Sequence, residues 1–132
     1  MEISNGRIVT RLSVADLLQK HCELQSRSSQ THPWWDCSGF PPSHHEIQGA
    51  IDEEKFESCC NDLNPHLGNR MWHVRRIAYL ARYWEECHPI EMKAPLAAME
   101  INDGGHRLMA ARHLGRTSIS AYEGNVSASQ PP

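Results

Sequence analysis

The chain has 132 residues, 39% of them hydrophobic and 22% charged, a composition typical of one folded domain. Its net charge of −3 argues against a protein that coats nucleic acid, because such binding relies on basic side chains that neutralise phosphates. The charge is unevenly distributed: residues 1–69 hold five basic and ten acidic side chains, whereas residues 70–132 hold eight basic and six acidic ones.

Membrane insertion and secretion are not expected from this sequence. No apolar run approaches the ~20 residues that span a bilayer, and the amino terminus lacks the pattern of a signal peptide. The five cysteines are an odd number at irregular spacing, as is usual for free thiols in a reducing compartment. We therefore expect a cytoplasmic protein.

The first half of the chain begins with a short predicted strand over residues 3–10, with a turn at Asn5-Gly6. Ser13 is a suitable N-cap for a helix that continues to about His21. Residues 25–45 look irregular, and residues 52–63 are predicted to form an acidic helix. This acidic half is a candidate docking surface for a protein partner.

In the second half, Asn69 is predicted to cap a long helix that ends near Glu86. Strands are expected over residues 89–92, 97–101 and 117–122, with a helix between the last two. The fold class is therefore α/β (α+β), with a small mixed sheet, packed helices and an added N-terminal helical part. We assign residues 1–123 to a single domain, with 1–68 as the N-terminal part and 69–123 as the core. Residues 124–132 form a predicted flexible tail.

The most informative stretch is the turn Asp103-Gly104-Gly105-His106-Arg107, which separates a predicted strand from a predicted helix. Glycines let a backbone approach a ligand closely, and the free amides at a helix start attract anions. His106 and Arg107 would add a tunable donor and a forked cation. The turn therefore predicts a cradle for phosphate.

Two carboxylates near this turn have open interpretations. Asp103 is either an N-cap of the helix or a ligand of Mg²⁺, which binds through one or two carboxylates together with substrate phosphates. Glu91 is either an exposed strand residue or a general base, if its strand lies beside the turn.

The long helix carries further alternatives. Its three arginines either extend a cationic rim around the turn or belong to a solvated face. Its tryptophans either stack on a base or fill the core. The residues are Arg75, Arg76, Arg82, Trp72 and Trp84.

The flanks of the turn carry a family resemblance. His88-Pro89-Ile90-Glu91, the box from Ile101 to Ala111, and Leu114-Gly115 together resemble the ParB/sulfiredoxin-like domain family. The resemblance covers residues 88–122 and implies a nucleotide, ATP or CTP, bound through its phosphates at the box. It implies that Gly104 and Gly105 form the turn, that His106 and Arg107 contact phosphate oxygens, and that Asp103 contacts a metal or a hydroxyl group.

The chain also departs from parts of that family. Sulfiredoxins carry their catalytic cysteine where this chain has Gly105, so thiol-based repair is not expected. Partition proteins have a helix-turn-helix domain after the box, and only 17 residues follow Gly115 here. Three functions stay open. The first is an ATPase, CTPase or phosphotransferase with Mg²⁺, in which His106, Arg107 and Glu91 would be catalytic. The second is a non-enzymatic accessory or regulatory protein of a mobile element, and the third is a DNA-binding or nuclease member.

Overall fold

A five-stranded mixed sheet carries the candidate site on one of its ends. The computed structural model describes residues 2–4, 6–27, 41–58 and 69–124. Strand order is β1-β2-β5-β3-β4, in which β3 and β5 run parallel and the other neighbours antiparallel. The strands are β1 (Glu2–Ser4), β2 (Arg7–Ser13), β3 (Ile90–Met92), β4 (Ile101–Asp103) and β5 (Ser118–Tyr122).

The described residues form four α-helices, and this confirms the predicted mixed α/β class. They are α1 (Val14–Arg27), α2 (His44–Asp52), α3 (Arg70–Arg82) and α4 (Gly105–His113). Short 3₁₀ turns cover Trp84–Glu86 and Leu96–Ala98. In this part of the chain, no helix is both long enough and apolar enough to cross a membrane.

Helix α4 lies between two apolar clusters. Leu108 and Ala111 pack against Ile90 and the other inward residues of the sheet, whereas Met109 and Ala110 pack against α2 and α3. A helix that is apolar on both sides is expected where two layers cover it. The start of α4 is therefore fixed in position relative to both β3 and α3.

The beginnings of the elements follow the predicted signals. Ser4 and Arg7 are register partners across the turn that joins β1 to β2. The Ser13 hydroxyl accepts a bond from the amide of Asp16 at 3.2 Å, and the Asn69 side chain accepts one from the amide of Trp72 at 3.1 Å. Strand β2 pairs with β5, so the predicted N-terminal part and core contribute to one sheet.

The predicted acidic helix over residues 52–63 is wrong in its described portion. Helix α2 begins earlier, at a capping box in which Ser43 and Glu46 bond each other's backbone amides, and it ends at Asp52. Glu54 adopts a left-handed φ of 55°, and the amide of Lys55 bonds the carbonyl of Ala50 at 2.9 Å, which closes the helix. Residues 59–63 lie outside the described residues.

Three other predicted boundaries are also wrong. Helix α1 continues to Arg27, past its predicted end at about His21. Helix α3 ends at Arg82 rather than near Glu86, because Tyr83 leaves the helical region with φ −111° and ψ 38°. The strand predicted over residues 97–101 is displaced to Ile101–Asp103, because a 3₁₀ turn and the left-handed Met99 (φ 57°) occupy most of the predicted range. Of the predicted tail, residues 125–132 lie outside the described residues.

Candidate functional site

The two glycines of the turn have different surroundings. Gly104 has φ 132° and follows β4, and Gly105 is the first residue of α4. A Cβ atom on Gly104 would lie 2.5 Å from Cγ2 and 2.6 Å from Cβ of Ile90. Close backbone approach is therefore required here, as the sequence predicted, but the group approached is a core side chain of β3.

Asp103 does not cap α4. The N-cap position is Gly104, which makes no side-chain capping bond, and Asp103 is the last residue of β4. The Asp103 carboxylate instead accepts a bond from the Arg107 guanidinium at 3.2 Å, one helical turn later. Its side chain is 63% exposed, so one carboxylate oxygen stays accessible for a further ligand.

Arg107 holds the chain segment that leads into β3. Its Nη1 atom donates to the carbonyl of His88 at 3.0 Å and to the carbonyl of Pro89 at 2.7 Å. Its side chain is only 16% exposed. Because its guanidinium group already donates hydrogen bonds to protein oxygens, Arg107 has fewer N–H groups left for a phosphate than an exposed arginine would have.

His106 forms a pair with His73 of α3. The Nε2 atom of His106 lies 2.8 Å from Nδ1 of His73, and the two rings stack with an interplanar angle of 14°. The ring of Trp72 packs edge-on against both of them. This arrangement brings a buried residue of α3 to the start of α4.

In the histidine pair, the ring of His106 is uncharged at neutral pH. Burial, followed by the nearby His73 and the guanidinium groups of Arg76 and Arg107, lowers the pKa of His106 to about 3. A neutral imidazole donates from one nitrogen and accepts at the other. His106 can therefore donate or accept a hydrogen bond, but it does not supply a positive charge to attract a phosphate.

A cavity of about 390 Å³ opens at the start of α4; we call it the inner cavity. Helix α3 contributes Arg76 and the ring of Tyr79. The ring of Tyr83, the residue that follows α3, lies beside that of Tyr79, with their centroids 4.9 Å apart. Leu80 of α3 also lines the cavity. The remaining wall comes from the end of β4, the start of α4 and the segment before β3, and consists of Asp103, Gly104, His106, Arg107, Glu86, Cys87 and His88.

The arginines of α3 do not share one environment. Arg76 lines the inner cavity and donates to the carbonyl of Ser58 at 3.0 Å, whereas Arg82 is exposed and lies over the ring of Tyr83. The Nε atom of Arg75 is buried and has no hydrogen-bond partner among the described residues. Of the predicted cationic rim, the structure thus brings Arg76 to the site.

Glu91 lies beside the turn in the sheet but faces away from the inner cavity. It is the register partner of Asp103, while its neighbours Ile90 and Met92 are buried under the helices. Since side chains alternate along a strand, Glu91 projects from the opposite face. There its carboxylate bonds Arg7 at 3.0 Å. The structure does not bring Glu91 together with His106 and Arg107.

The described residues contain no metal site formed by protein side chains alone. No group of three or more His, Cys, Asp or Glu side chains there is placed to hold a metal ion. Cys87 is a free thiol whose pKa is raised, mainly by burial. The tryptophans of the long helix region serve the core: Trp72 is buried, and Trp84 is half-buried against both apolar clusters.

Comparisons of the chain with protein-family models, curated proteins and solved structures give no significant match. The resemblance to the ParB/sulfiredoxin-like family therefore stays a prediction that rests on the residues of the box.

Proposed function

We propose that this protein binds a nucleotide in the inner cavity, with a phosphate group at the start of α4. The observation that carries the proposal is the opening of this cavity onto the first turn of a nine-residue helix. The first amides of a helix have no carbonyl partner within it, and the helix dipole adds partial positive charge there. Gly104, His106 and Arg107 of this helix start line the cavity.

Other groups of the inner cavity suit the remainder of a nucleotide. Arg76 supplies a guanidinium that can bind a phosphate through two parallel hydrogen bonds. Tyr79 and Tyr83 present aromatic rings on which a base can stack. A volume of about 390 Å³ lies within the range of small-molecule pockets. ATP and CTP are the nucleotides that the sequence resemblance implies.

Asp103 is the side chain that would hold Mg²⁺ together with the phosphates. Its exposed carboxylate fits this part, because Mg²⁺ commonly uses one or two carboxylates and completes its shell with phosphate oxygens and water. When bound, Mg²⁺ would neutralise charge that develops on a transferred phosphoryl group. His106 would donate a hydrogen bond to a phosphate oxygen, and Arg107 would fix Asp103 and the segment before β3.

Hydrolysis or phosphoryl transfer would be a further step at the same cavity. With its pKa lowered to about 3, His106 is a weak base at neutral pH, so its neutral imidazole suits a hydrogen bond to a phosphate oxygen better than proton transfer. Glu91 would need to lose its contact with Arg7 in order to act as a base. We therefore assign a hydrogen-bonding role to His106 in this proposal.

The test is calorimetric titration of the folded chain with ATP, CTP, ADP and GTP in the presence of Mg²⁺. Arg76→Gln should weaken binding about tenfold, the loss expected for one charge-assisted contact. Arg112→Gln is the matched control, because it removes the same charge from the exposed far end of α4. Binding of none of the four nucleotides, or equal effects of the two substitutions, would refute the proposal. Release of phosphate during the titration would indicate hydrolysis.

A further inference from the structure

A second cavity lies next to the inner one, on the far side of Arg107. We call it the outer cavity; its volume is about 240 Å³. The two cavities share Cys87, His88 and Arg107 as walls. The outer cavity is further lined by Arg11, Trp84, Arg116, Ser118 and Ser120.

The strand register explains why polar groups gather in the outer cavity. Arg11 of β2 is the register partner of Ser120 on β5, so their side chains leave the sheet on the same face. The intervening Ile119 points into the core, which places Ser118 and Ser120 together on the outer face. Two hydroxyl groups and a guanidinium thus converge through the alternation of the strands.

The outer cavity has a surplus of positive charge. Arg11, Arg107 and Arg116 line it, and Glu85 is the one carboxylate among its described lining residues. Glu85 contacts Arg116 at 3.3 Å, but its side chain is 89% exposed, so this ion pair is weak. No described carboxylate lies within ion-pair distance of Arg11. Arg107 is paired with Asp103 at 3.2 Å, so the uncompensated charge of the outer cavity comes from Arg11 and from the weakly paired Arg116. These two guanidinium groups favour an anion in the cavity.

We propose that the outer cavity is a second phosphate-binding subsite. Arg11 and Arg116 would grip the phosphoryl group, with hydrogen bonds from the hydroxyl groups of Ser118 and Ser120. Because Cys87, His88 and Arg107 line both cavities, the two phosphate positions are adjacent, and we extend the proposal to one ligand that places a phosphate in each. This extension rests on the proposed function. The ligand class is then a nucleotide that carries a second phosphate at a position other than the 5′ position, such as a nucleoside 3′,5′-bisphosphate.

The subsite can be tested independently of nucleotide binding. Inorganic phosphate is titrated into the ¹⁵N-labelled full chain, and amide shifts are followed by NMR. Shifts at Ser118 and Ser120 support the outer subsite, and their absence overturns it, whatever happens at α4. Shifts at Gly105 and His106 report separately on the proposed phosphate position in the inner cavity. Arg11→Gln should weaken the response at Ser118 and Ser120 about tenfold, and Arg112→Gln should leave it unchanged. An equal response in both variants also overturns the subsite.

The bridging ligand is tested by calorimetry with adenosine 3′,5′-bisphosphate and AMP. We expect the bisphosphate to bind about tenfold more tightly than AMP, and Arg11→Gln to abolish that advantage without changing AMP affinity. Equal affinity of the two ligands for the unmodified chain overturns the bridging assignment. Absence of binding by ATP, CTP, ADP and GTP together with phosphate shifts at Ser118 and Ser120 refutes the proposed function and supports the outer subsite.

Discussion

Replacing Gly104 by alanine should destabilise the protein strongly, whereas the same change at Gly105 should not. A methyl group on Gly104 would lie 2.5 Å from Cγ2 of Ile90, well inside van der Waals contact, and its φ of 132° is unfavourable for any L side chain. Backbone strain of about 1–3 kcal/mol and overpacking of about 1–3 kcal/mol together give a loss of about 2–6 kcal/mol. Gly105 begins a helix, where alanine is favourable by up to about 1 kcal/mol.

Urea unfolding of Gly104→Ala, Gly105→Ala and the unmodified chain measures both effects. The steric cause is tested with Ile90→Gly, which removes both the Cγ2 and the Cβ atom that the new methyl group meets. If the clash causes the loss, the double variant Gly104→Ala/Ile90→Gly should be more stable than the sum of the single losses implies, by about 1 kcal/mol or more. Additive losses, or equal stabilities of the two glycine variants, would refute the reasoning.

Three further predictions use the same unfolding assay. The pKa of His106 is about 3 in the folded chain and 6.5 ordinarily, so the unfolded chain binds an extra proton as the pH falls. The free energy of unfolding should therefore fall by about 1.5 kcal/mol between pH 6.5 and pH 5. The same dependence of unfolding free energy on pH in His106→Gln would contradict this. Glu46 binds Arg70 through both carboxylate oxygens, at 2.6 and 2.7 Å, which lowers the pKa of Glu46 to about 2. Its stabilising effect is present above about pH 4.5 and lost toward pH 2, so Glu46→Gln should cost about 1 kcal/mol at pH 7, compared with almost nothing for the exposed Glu53→Gln. Arg107→Lys should cost about 1–3 kcal/mol, because one ammonium group cannot reproduce a fork that holds two carbonyls and a carboxylate; full stability of this variant would show that the fork is dispensable.

The local signals of the sequence were sufficient for the starts of elements. The caps at Ser13 and Asn69 depend on residues within three positions of one another, and the structure has both of them. The single strand predicted over residues 3–10 is instead divided into β1 and β2, which pair with each other. The capping box of Ser43 and Glu46 is an equally local signal that the sequence contains and the predicted elements omitted. The displacement of β4 was harder to predict, because it depends on the left-handed conformation of Met99, and a methionine does not indicate that conformation.

The candidate site could be predicted only in part, because its decisive contacts are distant in sequence. His73 and His106 are 33 positions apart, and no spacing rule relates them. The sequence does indicate that His73 is buried, because its position continues the apolar stripe of Ile77 and Leu80 on α3, and the structure buries it. At the turn itself, Gly104 approaches Ile90 closely, and the predicted contact with a phosphate stays a prediction.

Arg107 shows why motif residues need not be the best tests of a motif's function. Its bonds to the carbonyls of His88 and Pro89 hold one wall of both cavities, so its removal disturbs structure and binding together. Loss of ligand binding after its substitution would therefore not distinguish a phosphate contact from a collapsed wall. Arg76 and Arg11 each face one cavity, so their substitution separates the two proposed phosphate positions. If Arg76→Gln affects only the inner cavity and Arg11→Gln only the outer one, Arg107 is the structural partition between two anion sites.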